Sequence, residues 1–106
     1  MMIVDLNREA IKSGLARGDM LIVDVREPNE FAAGHIPGSI SMPLSTFDPD
    51  ELPRSEGLEI VLSCAAGVRS RHALMIAQAA GRAISAHYVG GFKDWAIAGE
   101  EIAYPD

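Results

Sequence analysis

Residues 59–81 read Glu59-Ile60-Val61-Leu62-Ser63-Cys64-Ala65-Ala66-Gly67-Val68-Arg69-Ser70-Arg71-His72-Ala73-Leu74-Met75-Ile76-Ala77-Gln78-Ala79-Ala80-Gly81. The run Ile60-Val61-Leu62 is short, apolar and largely β-branched, which suits a buried strand. Ala73, Leu74, Ile76, Ala77 and Ala80 recur at helical spacing, and Gly81 suits the left-handed turn that closes a helix. The only cysteine of the chain, Cys64, stands between strand and helix. A thiol placed there meets backbone N–H groups that have no partner within the helix. Those groups and the helix dipole favour thiolate over thiol, and can lower a cysteine pKa from about 8.5 into the range of about 3.5–7.5. Gly67 permits the positive φ of an anion-cradling turn. A lone cysteine is ordinarily a small buried hydrophobe, but such a cysteine requires neither Gly67 nor Arg69 in the next turn, nor a helix start. Cys64 is therefore the candidate nucleophile, and Ala65, Ala66, Gly67, Val68, Arg69 and Ser70 form the candidate substrate-binding loop.

Outward from this stretch, strand and helix signals alternate. Ile3-Val4 is expected to form a first short strand, and Asn7 is a good N-cap with Leu6 and Ile11 placed as a hydrophobic staple. The helix after it carries Ala10, Ile11 and Leu15 inward and ends near Gly18. Met20-Leu21-Ile22-Val23-Asp24-Val25 is a near-continuous apolar run, as expected of a strand covered on both faces. A short helix follows through Phe31, with Pro28 in its first turn, and Pro37-Gly38 suits a type II turn. Residues 39–44 read as a short strand stopped by Pro43, and residues 45–57 as a polar loop with at most a helical turn. A fifth strand covers 86–89, and a last short helix covers 92–98, closed by Gly99. The alternation predicts an α/β fold, a five-stranded, mostly parallel sheet with helices on both faces. Ligand sites in such sheets lie beyond the carboxyl ends of strands, where Cys64 falls.

With 106 residues and 48% hydrophobic content, the chain is expected to form one domain, 1–106, large enough for a core without staples. A single cysteine cannot make an internal disulfide, which suits a reducing compartment. The N-terminus lacks a basic, apolar signal segment, and no apolar run approaches membrane-spanning length. The expectation is a cytoplasmic protein with no membrane partner. The net charge of −6 argues against a nucleic-acid partner. Charge is also unevenly placed. Residues 1–59 carry eleven acids against five bases, whereas 60–93 carry no acid and four bases, Arg69, Arg71, Arg82 and Lys93. Buried strands and an Ala-rich helix exclude carboxylates on their own account; the other consequence is a local positive field at Cys64, attractive to small anions.

Three segments carry a resemblance. Val23-Asp24-Val25-Arg26-Glu27, Glu30-Phe31 and the stretch Gly34-His35-Ile36-Pro37-Gly38-Ser39-Ile40 form the first, Cys64 to Ser70 the second, and Gly90-Gly91-Phe92 with Trp95 and Gly99 the third. In order and spacing they resemble the rhodanese-like sulfurtransferases, over nearly the whole chain. The resemblance implies a rhodanese-like fold and ping-pong sulfur transfer from a small anionic donor such as thiosulfate to a thiol, cyanide or protein-cysteine acceptor. It implies a Cys64 persulfide and calls for no metal or organic cofactor. Two rival functions are a silent interaction module of the same fold and a phosphatase or arsenate reductase. Loops of the latter resemble C-x5-R, whereas Cys64 to Arg69 is C-x4-R, a ring better sized for a sulfur atom.

Other residues carry lesser expectations. Arg69 either binds the donor or braces the loop through a salt bridge, and Ser70 either hydrogen-bonds the sulfur or acts only in the helix start. Asp24 and Arg26 are expected as a buried ion pair or turn anchor rather than pocket residues. His35 is expected to be structural, Phe31 and Trp95 to lie in the core, and Met75 to be ordinary packing. His72 and His87 receive no chemistry.

Overall fold

The structure is a computed structural model that describes residues 2–54 and 56–105. Met1, Ser55 and Asp106, which the expected domain 1–106 includes, lie outside the described residues. In chain order the elements are β1 (Val4–Leu6), α1 (Arg8–Arg17), β2 (Met20–Asp24), α2 (Pro28–Ala32), β3 (Ile40–Ser41), β4 (Glu59–Ser63), α3 (Val68–Ala79), β5 (Ala86–Tyr88) and α4 (Gly91–Ile97). The strands form one sheet in the order β1-β5-β4-β2-β3, and every pairing in it is parallel. β4 is the middle strand, so its carboxyl end is flanked by the ends of β5 and β2.

Period-two alternation divides the apolar residues between two cores. On one side Val23, Val25, Ile60, Leu62 and Cys64 pack with Ala73, Leu74 and Ala77 of α3. On the other, Ile22, Val61, Ala86 and Tyr88 pack with Ile11 of α1 and Trp95 of α4. Helices thus cover both faces, which is why β2 and β4 lack the polar alternation of a half-exposed strand. Burying an aliphatic side chain of this size contributes roughly 1.5–3 kcal/mol, so the two cores outweigh any local propensity.

Local signals act where expected. Asn7 Oδ1 accepts from the Ala10 N–H at 2.9 Å, and Gly18 closes α1 at φ 79°. Leu6 and Ile11 share the second core, completing the staple. Ser39 N–H donates to the Ile36 carbonyl at 3.0 Å with Gly38 at φ 81°, the turn expected of Pro37-Gly38.

Several expectations shift, among them the fifth strand, which ends at Tyr88 rather than Val89, and the last helix, which runs Gly91–Ile97 rather than 92–98. β1 is Val4–Leu6 rather than Ile3-Val4, because its parallel register pairs Val4, Asp5 and Leu6 with Ala86, His87 and Tyr88. β3 shrinks to Ile40–Ser41. The segment 45–57 holds two 3-10 turns, Leu44–Thr46 and Pro49–Glu51. It also sends Leu52, 2% exposed, into the α3-side core. Arg82 fastens this segment, donating to the carbonyls of Pro49, Leu52 and Pro53 at 2.5, 3.1 and 3.2 Å. Phe31 lies outside both cores and stacks on His35, ring centroids 3.7 Å apart. Met75 is exposed.

Candidate active site

Cys64 follows β4 directly and is 1% exposed. Three devices shape the loop after it. Gly67 adopts φ 88°, and a Cβ there would strike the Val89 carbonyl oxygen at the end of β5. Gly91 adopts φ 66°, where a Cβ would come within 2.5 Å of the Cys64 and Ala65 carbonyl oxygens. Those carbonyls accept from the first N–H groups of α4, Phe92 to Cys64 at 2.8 Å and Lys93 to Ala65 at 3.0 Å. The start of α4 is therefore the clamp that holds the cysteine loop, which explains physically why Gly91 stands there, whereas a Cβ on Gly90 would meet the Asp94 side chain.

With the loop carbonyls drawn toward α4, its N–H groups turn to the sulfur. Gly67 N–H donates to Cys64 Sγ at 3.1 Å, and Ser70 Oγ lies 3.5 Å from it. Burial pushes the Cys64 thiol up. Hydrogen bonds from the Ser70 hydroxyl and from the N–H groups of Ser70, Ala66 and Gly67 outweigh that and hold it below its ordinary value. Charge-assisted donors are worth roughly twice neutral ones, which is why a few of them overcome desolvation. Among the loop side chains, Ala66 and Val68 face solvent, Ala65 is half-buried and Ser70 is fully buried.

Arg69 forks onto Glu30, Nη1 to Oε1 at 2.7 Å and Nη2 to Oε2 at 3.0 Å. This is the salt-bridge alternative, and it ties the start of α3 to α2. The Arg69 guanidinium, ahead of the Glu27 N–H, holds the Glu30 carboxyl at about 2 against an opposing push from burial. The Glu27 N–H reaches the same carboxyl at 3.0 Å. Of the four bases in the acid-free segment, Arg69 holds a carboxylate and Arg82 holds carbonyls on a distant loop. The anion-favouring group in direct contact with the sulfur is a backbone N–H, that of Gly67 at 3.1 Å.

Asp24 and Arg26 form the expected buried pair. Arg26 Nη2 donates to Asp24 Oδ2 at 2.8 Å and to the Gly34 carbonyl at 2.8 Å, while its guanidinium lies 4.3 Å from the Phe92 ring centroid. His35 Nδ1 bonds the Phe31 carbonyl at 2.9 Å; its role is structural, as expected.

His87 is the residue that sequence reasoning missed. It is 2% exposed, with Nδ1 2.9 Å from Ser70 Oγ and Nε2 2.8 Å from Asp5 Oδ1. Two signals pointed there. A polar residue inside a strand covered on both faces must find hydrogen-bond partners. The buried stripe of α3, Ser70, Ala73, Leu74 and Ala77, also places Ser70 on the core-facing side at i, i+3, i+4, i+7.

Comparison with known proteins agrees with this geometry. The model of the rhodanese-like domain matches residues 7–98. A sulfurtransferase of Allochromatium vinosum is 31% identical over 110 residues, covering 99% of each chain. The thiosulfate:glutathione sulfurtransferase of Saccharomyces cerevisiae is 32% identical over 90 residues, 73% of this chain and 65% of that protein. This chain spans 45%, 65% and 63% of the lengths of three of the curated relatives it matches. A human single-domain sulfurtransferase superposes with a TM-score of 0.75 at 28% identity, covering 88% of this chain and 95% of that one. A Rhodopseudomonas palustris protein of unknown function, described as a possible tyrosine phosphatase, superposes at 0.79 with 32% identity over 95% and 85% of the two chains. The all-parallel sheet, the glycine-clamped cysteine loop at the end of its middle strand and the match over residues 7–98 have one common account: the chain belongs to the rhodanese-like domain family.

Proposed function

We propose that the chain is a sulfurtransferase that carries sulfane sulfur as a persulfide on Cys64, taking it from a small donor such as thiosulfate. The Cys64 thiolate attacks the outer sulfur of thiosulfate; the new S–S bond forms as the old one breaks, and sulfite leaves with the electron pair. An acceptor thiolate, or cyanide, then attacks the terminal sulfur and releases Cys64 as thiolate. Every step is charge-balanced and none requires an oxidant. The observation that carries this reading is the set of donors on a buried sulfur, with Gly67 N–H at 3.1 Å and Ser70 Oγ at 3.5 Å. A site built to stabilise thiolate also suits the anionic terminal sulfur of a persulfide. The loop from Ala65 to Ser70 is the proposed substrate-binding element, and Arg69, committed to Glu30, acts in it chiefly as a brace.

The spacing Cys64 to Arg69, one residue shorter than the C-x5-R pattern, and the absorption of Arg69 by Glu30 both count against a phosphatase, because that arginine is not left to grip a tetrahedral oxyanion. Intact mass spectrometry after incubation with thiosulfate tests the proposal. The expected result is protein heavier by one sulfur atom that reverts on addition of a thiol, with no hydrolysis of an aryl phosphate. Protein that never gains sulfur from thiosulfate, mercaptopyruvate or a persulfidated donor overturns it in favour of an interaction module.

A further inference from the structure

Four residues from four parts of the chain form one hydrogen-bonded line. Cys64 Sγ lies 3.5 Å from Ser70 Oγ, Ser70 Oγ lies 2.9 Å from His87 Nδ1, and His87 Nε2 lies 2.8 Å from Asp5 Oδ1. The first three are buried, at 1%, 0% and 2% exposure, and the line ends at Asp5, whose side chain is 54% exposed.

The hydrogens in this line are strongly constrained. The Asp5 carboxylate accepts only, so His87 Nε2 carries a proton. Ser70 has a single hydroxyl hydrogen. When His87 is neutral, Nδ1 accepts it, and Ser70 Oγ can then only accept from the Cys64 thiol. When Cys64 is a thiolate, the Ser70 hydrogen is needed on the sulfur, and Oγ must accept from an Nδ1–H. With one proton to be held by either Cys64 or His87 Nδ1, two arrangements keep every link of the line hydrogen-bonded: thiol with neutral imidazole, and thiolate with imidazolium. They hold the same number of protons. A thiolate beside neutral His87 leaves the imidazole and the sulfur competing for one hydroxyl hydrogen.

We propose that Ser70, His87 and Asp5 form a proton relay that accepts the Cys64 proton and turns the Ser70 hydroxyl onto the resulting thiolate. In the step, the Ser70 O–H bond breaks toward His87 Nδ1 as the Cys64 S–H proton moves to Ser70 Oγ; the sulfur keeps the electron pair. The products are thiolate, an intact hydroxyl and an imidazolium paired with Asp5. His87 and Asp5 never touch the sulfur, so they are positioning residues that act through Ser70. The groups facing His87 are few. β1 presents Asp5 in direct register and β4 presents Leu62; α3 presents Ser70 and, through it, Cys64. Arg69 is turned to Glu30, and Arg71 and His72 are exposed. The relay rests on Cys64 being the nucleophile of the reading above.

The test is the rate of iodoacetamide alkylation of Cys64 against pH, which needs no sulfur donor. In wild-type protein two steps are expected, the first as the thiolate–imidazolium pair forms and the second as the imidazolium loses its proton. His87→Gln should leave one step, displaced to higher pH than the wild-type first step by about 1 to 3 units, the range for a nearby opposite charge. Asp5→Asn should keep two steps and move the second to lower pH. A measurement on unaltered protein guards against a folding defect: the NMR titration of His87 should move to lower pH once Cys64 is alkylated, because the thiolate that favours the imidazolium is gone. A single-step wild-type profile, a two-step profile in His87→Gln, or a His87 titration indifferent to alkylation overturns the relay. Failure to load sulfur with a two-step profile intact would sink the sulfurtransferase reading and leave the relay standing.

Discussion

At the scale of single residues, Cys64 and Glu30 make the sharpest claims. Cys64→Ser removes the only thiol while keeping a small side chain in contact with the Gly67 N–H and Ser70. Sulfur transfer should vanish, and the thermal unfolding midpoint should stay close to wild type; full activity in this variant would remove the nucleophile altogether. Glu30 makes a claim about acid. Its carboxyl is held at about 2, against an ordinary 4.5, first by the Arg69 guanidinium. A carboxyl whose folded pKa is depressed contributes stability above its unfolded pKa and loses it as pH falls through the folded one. The contribution from Glu30 should thus be intact above about pH 4.5 and fade toward pH 2, in the sense expected from the linkage relation. Glu30→Gln should flatten that part of the acid unfolding curve and leave the rest, and an unchanged curve would show that the fork onto Arg69 gives no stability. His35 and Asp24, by contrast, are satisfied structural groups, as their turn positions suggest.

At the scale of elements, the clamp between α4 and the cysteine loop matters most. The resemblance places Gly90-Gly91 in a C-terminal pattern without a physical reason for either glycine, and the structure supplies one for Gly91. The reason is contact: α4 begins hard against the Cys64 and Ala65 carbonyls. Gly91→Ala must bear a left-handed backbone, about 1–2 kcal/mol, and also push a methyl group into those carbonyls. We expect a loss of more than about 2 kcal/mol in urea unfolding, with slower alkylation of Cys64 as the loop shifts. An alanine variant with wild-type stability and alkylation rate would mean that the loop is held some other way. α3 illustrates the reverse case. Its inward stripe is legible at 73, 74 and 77, but apolar periodicity does not mark Ser70, which continues the stripe, because serine is not apolar.

At the scale of the whole molecule, one cysteine in 106 residues has a chemical consequence. A second, resolving cysteine would discharge a loaded sulfur as an internal disulfide, and this chain has none. Protein treated with a donor and then freed of it should keep its extra sulfur, and cyanide should release it as thiocyanate in one stoichiometric burst. Loss of the sulfur on standing, without an acceptor, would contradict this.

Most strands and helices to within a few residues, the two-faced sheet and the place of Cys64 between strand and helix are legible in the residues themselves. Those features follow from backbone periods of 2 and 3.6 and from capping and turn chemistry, all confined to a few neighbouring residues. The sequence by itself could not determine which distant groups meet. Asp5 and His87 are 82 residues apart, Glu30 and Arg69 are 39 apart, and Ser70 and His87 are 17 apart. The parallel register of β1 on β5 decided the first contact, and the seating of α3 decided the other two. The burial of Leu52 in a segment that looks like plain loop is of the same kind. Period and propensity are local quantities, whereas register and packing are set by the burial of the whole core, and only the tertiary structure carries them.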